Sequence, residues 1–538
     1  MQLRAKATGL IALAMLVLFA LPVFAGGGQE EGGQSGAQAE EAEAQAEQPE
    51  EKVLRIGISQ EPANLNPVLI PGVYGEALAG NIFDTLVSLK EDSSDPKPLL
   101  ATDWEISDDG QTYTFNLREG VTFHNGEELT AEDVKFTLDQ IKNPDNASPS
   151  IEFFEPVTNI VVEDEYTVRL ELDAPYAPLM LALGNPTAGI IPKDTVEEMG
   201  MDEFDRNPIG TGPYQFVELV PDDRIVLEKN PDYFLEEPGL DRVVFRPIPQ
   251  PETMAAELQA GGLDIASNIQ PQDIDRLDNR EGMSVLSKPG LSNRYLGFAD
   301  QQAPFNDVRF RKAVYHAVDF ASAIEAIWGQ AGERAYSWIP PDTLGGETDY
   351  LEDAVLSYDP EEAGRLFDEL RADGVLPEDF SFTIYSPQDP QRTRVAQAVA
   401  TAMQDYDIQA SVETPEWGTL LPMLEDGVGM YTLGWGSVPD PDRWTYKIFH
   451  STSNRNFSLY QNERIDSLLE EGRRTTDPNE RRDIYHEIMT QTLAEDYVHI
   501  PLVWLNTIVG VRDRVEGFEA SPQGYFHLVT GERNVTVN

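Results

Sequence analysis

Two tryptophans stand where a binding wall would place them. Trp435 lies between glycines in Gly434-Trp435-Gly436-Ser437, at the end of the strand-like run Tyr431-Thr432-Leu433. Glycine on both sides opens the backbone around the ring, which core packing alone does not require. Trp417 follows Pro415-Glu416, just after a strand signal, and Tyr74 sits where Gly72-Val73-Tyr74-Gly75 turns from loop into helix. Aromatic walls with a few placed polar groups, Ser437 among the candidates, suit non-covalent capture of a small organic solute. Ordinary packing is the alternative for each ring.

Covalent chemistry finds less support. Glycoside hydrolysis needs two carboxylates at a set separation. With 94 Asp and Glu residues, however, accidental pairs are guaranteed, so acidic pairs carry no signal. The chain has no Gly-x-Ser-x-Gly elbow, no Gly-x-x-x-x-Gly-Lys phosphate loop and no His-Glu-x-x-His zinc pair. Its six histidines, His124, His316, His450, His486, His499 and His527, show no ligand spacing. Of these, His450 lies nearest the Trp435 segment and is the one to test for a ligand or metal role. Cysteine is absent, which removes thiolate metal sites, disulfides and a cysteine nucleophile. The expectation is a binding protein rather than an enzyme, with no catalytic residue, metal or cofactor. A secreted hydrolase acting on an oligomeric substrate is the alternative of another class.

Charge narrows the partners. Lys and Arg number 39 against those 94 acids, for a formal charge of −55, and such a field repels nucleic-acid backbones and anionic lipid. The 538 residues are 41% hydrophobic, enough for two or three cores. Arg4 and Lys6, the apolar run Leu10 to Leu21 and Val23-Phe24-Ala25 read as a cleavable signal peptide over 1–25. Residues 26–52 are Gly, Gln, Glu and Ala-rich and read as a disordered tether. Export to the periplasm or cell surface follows, without a lipid-modified cysteine.

The positioning elements are legible by period. Val53 to Ile58 alternates like a strand, and Trp104-Glu105-Ile106 and Tyr113 to Leu117 flank an Asp-Gly turn as a hairpin. Thr130 is placed to cap a helix that carries Val134, Leu138 and Ile141 on one face. Beyond residue 300, helical patterns at Val308–Trp328, Pro360–Leu370, Arg394–Tyr406, Asn462–Arg474 and Asn479–Leu493 alternate with short strands such as Phe382–Tyr385. That alternation predicts βαβ units.

Several blocks, in order, resemble one family. They include Leu99-Leu100-Ala101-Thr102-Asp103-Trp104-Glu105-Ile106-Ser107-Asp108-Asp109-Gly110, Gly210-Thr211-Gly212-Pro213-Tyr214 and Asn230-Pro231-Asp232-Tyr233. Ala260-Gly261-Gly262-Leu263-Asp264-Ile265 and Pro304-Phe305-Asn306-Asp307-Val308-Arg309 continue the match, which runs from Val53 to about Leu528. The chain is identified as a member of the family 5 extracytoplasmic solute-binding proteins, the oligopeptide, dipeptide and nickel binders of ABC importers.

The resemblance implies a two-lobed α/β fold of the periplasmic-binding-protein type (type II, cluster C-like), with a hinge and an extra subdomain in lobe I. Lobe I is expected over 53–300 plus 501–538, and lobe II over 301–500. It further implies a monomer that takes an oligopeptide, or alternatively an oligosaccharide, and hands it to a membrane ABC permease. By the same analogy Trp435 lies near the ligand and Tyr295 near the first hinge crossing, as wall or structural residue. Peptide binders carry an aspartate three residues past this tryptophan, where this chain has Val438. Asp440 is the nearest acid that could take over the ligand's amine.

Overall fold

The computed structural model describes residues 51–89, 95–299, 301–341, 343–352, 356–436 and 439–538. The expected signal peptide and all but the last two tether residues lie outside them. The fold is already joined at Lys52, whose N–H donates to the Asp241 carboxylate at 2.8 Å and whose carbonyl accepts from the Asp241 N–H at 2.9 Å. Among the described residues no helix is long and apolar enough to cross a membrane.

From there the alternating run Val53–Ile58 forms a strand with Leu54 and Ile56 fully buried. It pairs in parallel with Arg242–Pro247 on one side and Ile265–Ala266 on the other. The sheet continues through two long antiparallel strands, Met283–Phe298 and His499–Arg512. Beyond them lie Met430–Gly436, Ser381–Tyr385 and Gln409–Glu413, so one eleven-stranded sheet serves both lobes. The register of the two long strands breaks between Pro289 and Ser292, opposite Asn506 and Leu505. These two strands form the crossing between the Val53–Ile58 side of the sheet and the Met430–Gly436 side. In lobe II the strands Ser381–Tyr385, Gln409–Glu413 and Met430–Gly436 run parallel, with helices Pro390–Met403 and Trp417–Glu425 connecting them as βαβ units.

Lobe I carries a separate four-stranded antiparallel sheet, in the order Ala101–Ile106, Thr112–Leu117, Thr167–Leu172, Val157–Asp164. Its first hairpin turns at Gly110 with φ +66°, a left-handed conformation that favours glycine. The helix expected after Thr130 spans Ala131–Lys142, with Val134, Leu138 and Ile141 buried. Its entry is tied by Asp133, which accepts from the Thr130 N–H at 2.9 Å and its hydroxyl at 3.0 Å. The pattern Val308–Trp328 folds as two helices, Val308–Ala317 and Phe320–Trp328. Asp319 caps the second by accepting from the Ser322 N–H at 3.0 Å, which ends the first helix earlier than its period suggests.

The Gly210-Thr211-Gly212 block serves the lobe I core. Thr211 and Tyr233 donate hydroxyl hydrogen bonds to buried Asp84 at 2.8 and 3.0 Å. Burial pushes the Asp84 carboxyl up to about 6, although both hydroxyls pull the other way. The folded protein therefore binds more protons than the unfolded chain between pH ~4 and ~6, so stability falls as pH rises through that window and levels off above it. Asp84→Asn is expected to remove this share of the slope and to raise stability at pH 7–8 by up to ~3 kcal/mol. Denaturant melts of both proteins at pH 4 and pH 8 check it; a difference unchanged between the two pH values would refute it.

Candidate functional site

The carboxyl ends of parallel strands in both lobes converge on one cleft. From lobe I come Ile58 and Ser59 at the end of the first strand, Pro249 after the second, and Ser267 and Asn268 after the third. Lobe II contributes Gln388, Asp389 and Arg392, where the strand Ser381–Tyr385 gives way to the helix starting at Pro390. Ligand sites in open α/β sheets form at such strand ends. The cavity measures about 850 Å³, within the range of roughly 300–1,000 Å³ usual for small-molecule sites. The floor is the crossing itself, with Arg294, Leu505 and Asn506.

Its lobe II wall is cationic. Asp389 caps the helix by accepting from the N–H groups of Gln391 and Arg392, each at 3.0 Å, and pairs with the Arg392 Nε at 2.9 Å. Burial opposes ionisation of Asp389, but Arg392 and then Arg294 overcome it and hold the carboxyl below its ordinary value. Arg294 makes no ion pair among the described residues; its guanidinium donates to the Asn293 carbonyl at 2.8 Å. Burial, with repulsion from Arg392, pulls it down to about 10 despite attraction to Asp389. Two guanidiniums thus share one carboxylate, leaving a net positive wall in a strongly acidic protein. Trp328 adds a buried indole N–H with no hydrogen-bond partner among the described residues.

The glycine before Trp435 serves this wall. Gly434 faces Arg294 across the strand pair, and a Cβ there would come within 2.6 Å of the Arg294 guanidinium and the Asn293 carbonyl. The backbone is opened for Arg294 as much as for the tryptophan.

The residues expected from sequence part ways. Tyr74, 41% exposed, lines the cavity. Trp435 is half-buried against a cluster holding Leu291, Ala335, Trp444 and Trp504, and its backbone N–H donates to Asn293 Oδ1 at 3.1 Å. It does not line the large cavity, although its neighbour Gly436 lines a smaller one beside it. Trp435→Ala is therefore expected to cost the ligand-free protein ~2 kcal/mol through lost packing, read in a denaturant melt. An unchanged midpoint would mean that the ring is not part of the core. Trp417 is 51% exposed at the start of its helix and lines neither cavity. Tyr295 is 1% exposed, packed edge-on against Trp338, Tyr431 and His499, a core residue rather than a wall. Ser437 and Val438 lie outside the described residues.

Asp440 is put to a different use from the one expected. It caps the helix Pro441–Phe449 and forms a two-pronged pair with Arg481 at 2.8 and 2.9 Å, with both residues buried. A carboxylate so engaged is poorly placed to meet a ligand's amine. His450 stacks on Tyr446 and bonds the Thr452 hydroxyl at 2.9 Å, away from the large cavity.

Opposite the hinge the lobes touch. Lys447 pairs with Glu152, and Arg443 lies over the Phe153 ring at 4.3 Å. The Ala177 N–H donates to the Arg473 carbonyl at 2.8 Å. The cleft is thereby bounded by the hinge on one side and by these contacts on the other.

Sequence reasoning missed Arg294, Asp389 and Arg392. The available signal was the segment Pro387-Gln388-Asp389-Pro390-Gln391-Arg392 at a strand-to-helix junction, where a capping acid precedes a basic first turn.

Comparison with known proteins places this geometry. Residues 95–456 match the model of the bacterial extracellular solute-binding proteins, family 5. A dipeptide-binding protein of Escherichia coli K12 is 30% identical over 496 residues, covering 87% of this chain and 92% of the relative. The structure of a periplasmic binding protein, DppA from Helicobacter pylori, in complex with the peptide STSA, superposes with a TM-score of 0.76 at 26% identity, covering 90% of this chain and 98% of the other. The substrate-binding protein CtaP of Listeria monocytogenes superposes with a TM-score of 0.80 at 26% identity, covering 88% and 98%.

Proposed function

The chain belongs to the bacterial extracellular solute-binding proteins of family 5, and from that premise we propose that it is the binding component of an ABC importer, capturing a peptide-like solute between its lobes and delivering it to a membrane permease. The observation that carries the choice of solute is the cleft wall where Arg294 and Arg392 share the single carboxylate of Asp389. A partly buried cation without a full counter-charge is costly, and a ligand carboxylate relieves that cost through paired, charge-assisted hydrogen bonds. A neutral oligosaccharide offers no such relief. Tyr74 and Trp328 supply aromatic wall and an indole donor, while Ser59, Asn268 and Asn506 offer polar groups along the cleft. Trp435 braces Asn293, the neighbour of Arg294, and Asp440 braces the lobe II helices.

The mechanism is capture rather than turnover. Ligand touching both lobes favours the closed arrangement, and closure creates the surface that a permease reads. The protein acts as a monomer outside the cytoplasmic membrane, exported by the N-terminal segment.

The test is a melting screen of the chain lacking its first 25 residues against di- to pentapeptides, C-terminal peptide amides, neutral oligosaccharides and divalent metals. A ligand at one hundred times its Kd stabilises the bound form by ~2.7 kcal/mol, a readily measured shift. Shifts with free-acid peptides support the reading. Shifts with sugars alone would overturn it.

A further inference from the structure

Away from the crossing strands, the contact between the lobes is sorted by charge. Lobe II brings the helix Pro441–Phe449, with Arg443 and Lys447, and the end of the helix Glu463–Arg474, with Arg473. Lobe I brings the short helix Ile151–Phe154, with Glu152 and Phe153, and the segment Tyr176-Ala177, whose Ala177 N–H donates to the Arg473 carbonyl. Lys447 pairs with Glu152, and its ammonium lies 5.9 Å from the Phe153 ring centre and 6.0 Å from that of Trp435. Arg443 lies over Phe153 at 4.3 Å. Arg473, paired with Asp442 of its own lobe at 3.0 Å, lies 5.8 Å from the Tyr176 ring centre.

Both lobes carry an excess of acid, so they repel as they approach. The three cations of lobe II lower that repulsion at the point of contact, and an acid and two rings receive them. Neither Lys447 nor Glu152 lines the large cavity or the smaller one beside it. A pair that the ligand does not touch still sets affinity when it sets how often the lobes are together. Burial pulls the Lys447 ammonium down and Glu152 pulls it back up. Losing the acid would therefore leave the closed form with a cation that closure penalises.

We propose that Lys447 and Glu152, with Arg443 and Phe153, form a latch that keeps part of the ligand-free population closed, and that this latch raises affinity for every solute by one shared factor. The latch does not depend on the solute being a peptide.

The experiment measures the distance between the lobes. The chain has no cysteine, so Asp145→Cys in lobe I and Gln461→Cys in lobe II, both exposed positions, take one spin label each. Double electron–electron resonance of the ligand-free protein is expected to give two distances, one matching the closed arrangement described above and one longer. In this background Glu152→Gln and Lys447→Met are each expected to cut the ratio of short to long about three- to tenfold, Glu152→Gln the more. The double variant should fall little below Glu152→Gln alone, because the two side chains act as one pair. Titration calorimetry with trialanine and trileucine should give Kd values raised by one common factor for both peptides. A single long distance in the parent protein, or unchanged distances in both variants, would overturn the latch. Additive effects in the double variant would overturn the pairing. Kd changes that differ between the two peptides would overturn the shared factor, by placing Lys447 against the ligand. If neither peptide binds, the peptide reading falls, and the ligand-free distances still decide the latch.

Discussion

Arg294→Met is expected to weaken binding of a free-acid peptide by ~2–4 kcal/mol, a Kd raised at least about twentyfold. The C-terminal amide of the same peptide should lose little. The reason is the arrangement of charges on the lobe II wall. Arg392 has Asp389 at 2.9 Å, whereas Arg294 has no ion-pair partner among the described residues and is repelled by Arg392. Removing Arg294 takes away the cation with the least compensation, which is the one a ligand carboxylate serves best. For the same reason the ligand-free protein should not lose stability and is expected to gain slightly, because a guanidinium that burial penalises is replaced by an apolar chain of similar length. Titration calorimetry and a denaturant melt of the same samples read both effects. Equal weakening for acid and amide would mean that Arg294 acts by packing. A loss of stability without a change in affinity would remove it from the site.

The second large effect is structural. Asp440→Ala should destabilise lobe II by about 3–5 kcal/mol, since it leaves Arg481 buried without its two-pronged partner and strips the cap from the helix Pro441–Phe449. Asp440→Asn keeps the cap and loses the charge, so it should fall between. Scanning calorimetry of the ligand-free protein is the measurement. A wild-type transition in Asp440→Ala, combined with loss of peptide binding, would show instead that this carboxylate serves the ligand.

Local patterns carried much of the fold. The strand Val53–Ile58, the hairpin around Gly110, the helix capped at Thr130 and the helices Pro360–Ala372 and Glu463–Arg474 lie close to where local patterns put them. The crossing strand Met283–Phe298 was not legible as one strand, because Pro289-Gly290 interrupts it and the partner that holds it together lies some two hundred residues on, at His499–Arg512. The site suffered from the same non-locality. Tyr74 lines the large cavity from a loop-to-helix junction, a local feature that the chain itself displays. Tyr295 and Asp440 were read as candidates because sequence does not reveal that Trp338, His499 and Arg481 close around them. Arg294 stands out only once its surroundings and its lack of an ion pair among the described residues are visible, and among so many charged residues it has no signature in the chain itself.

Crystallising the protein with a free-acid peptide drawn from the melting screen would show directly whether the Arg294–Arg392 wall holds the ligand. The peptide is expected between the lobes, its carboxylate in paired hydrogen bonds of roughly 2.7–2.9 Å to Arg294 and Arg392. A peptide whose carboxylate points to solvent, or that sits on one lobe without touching this wall, would contradict it.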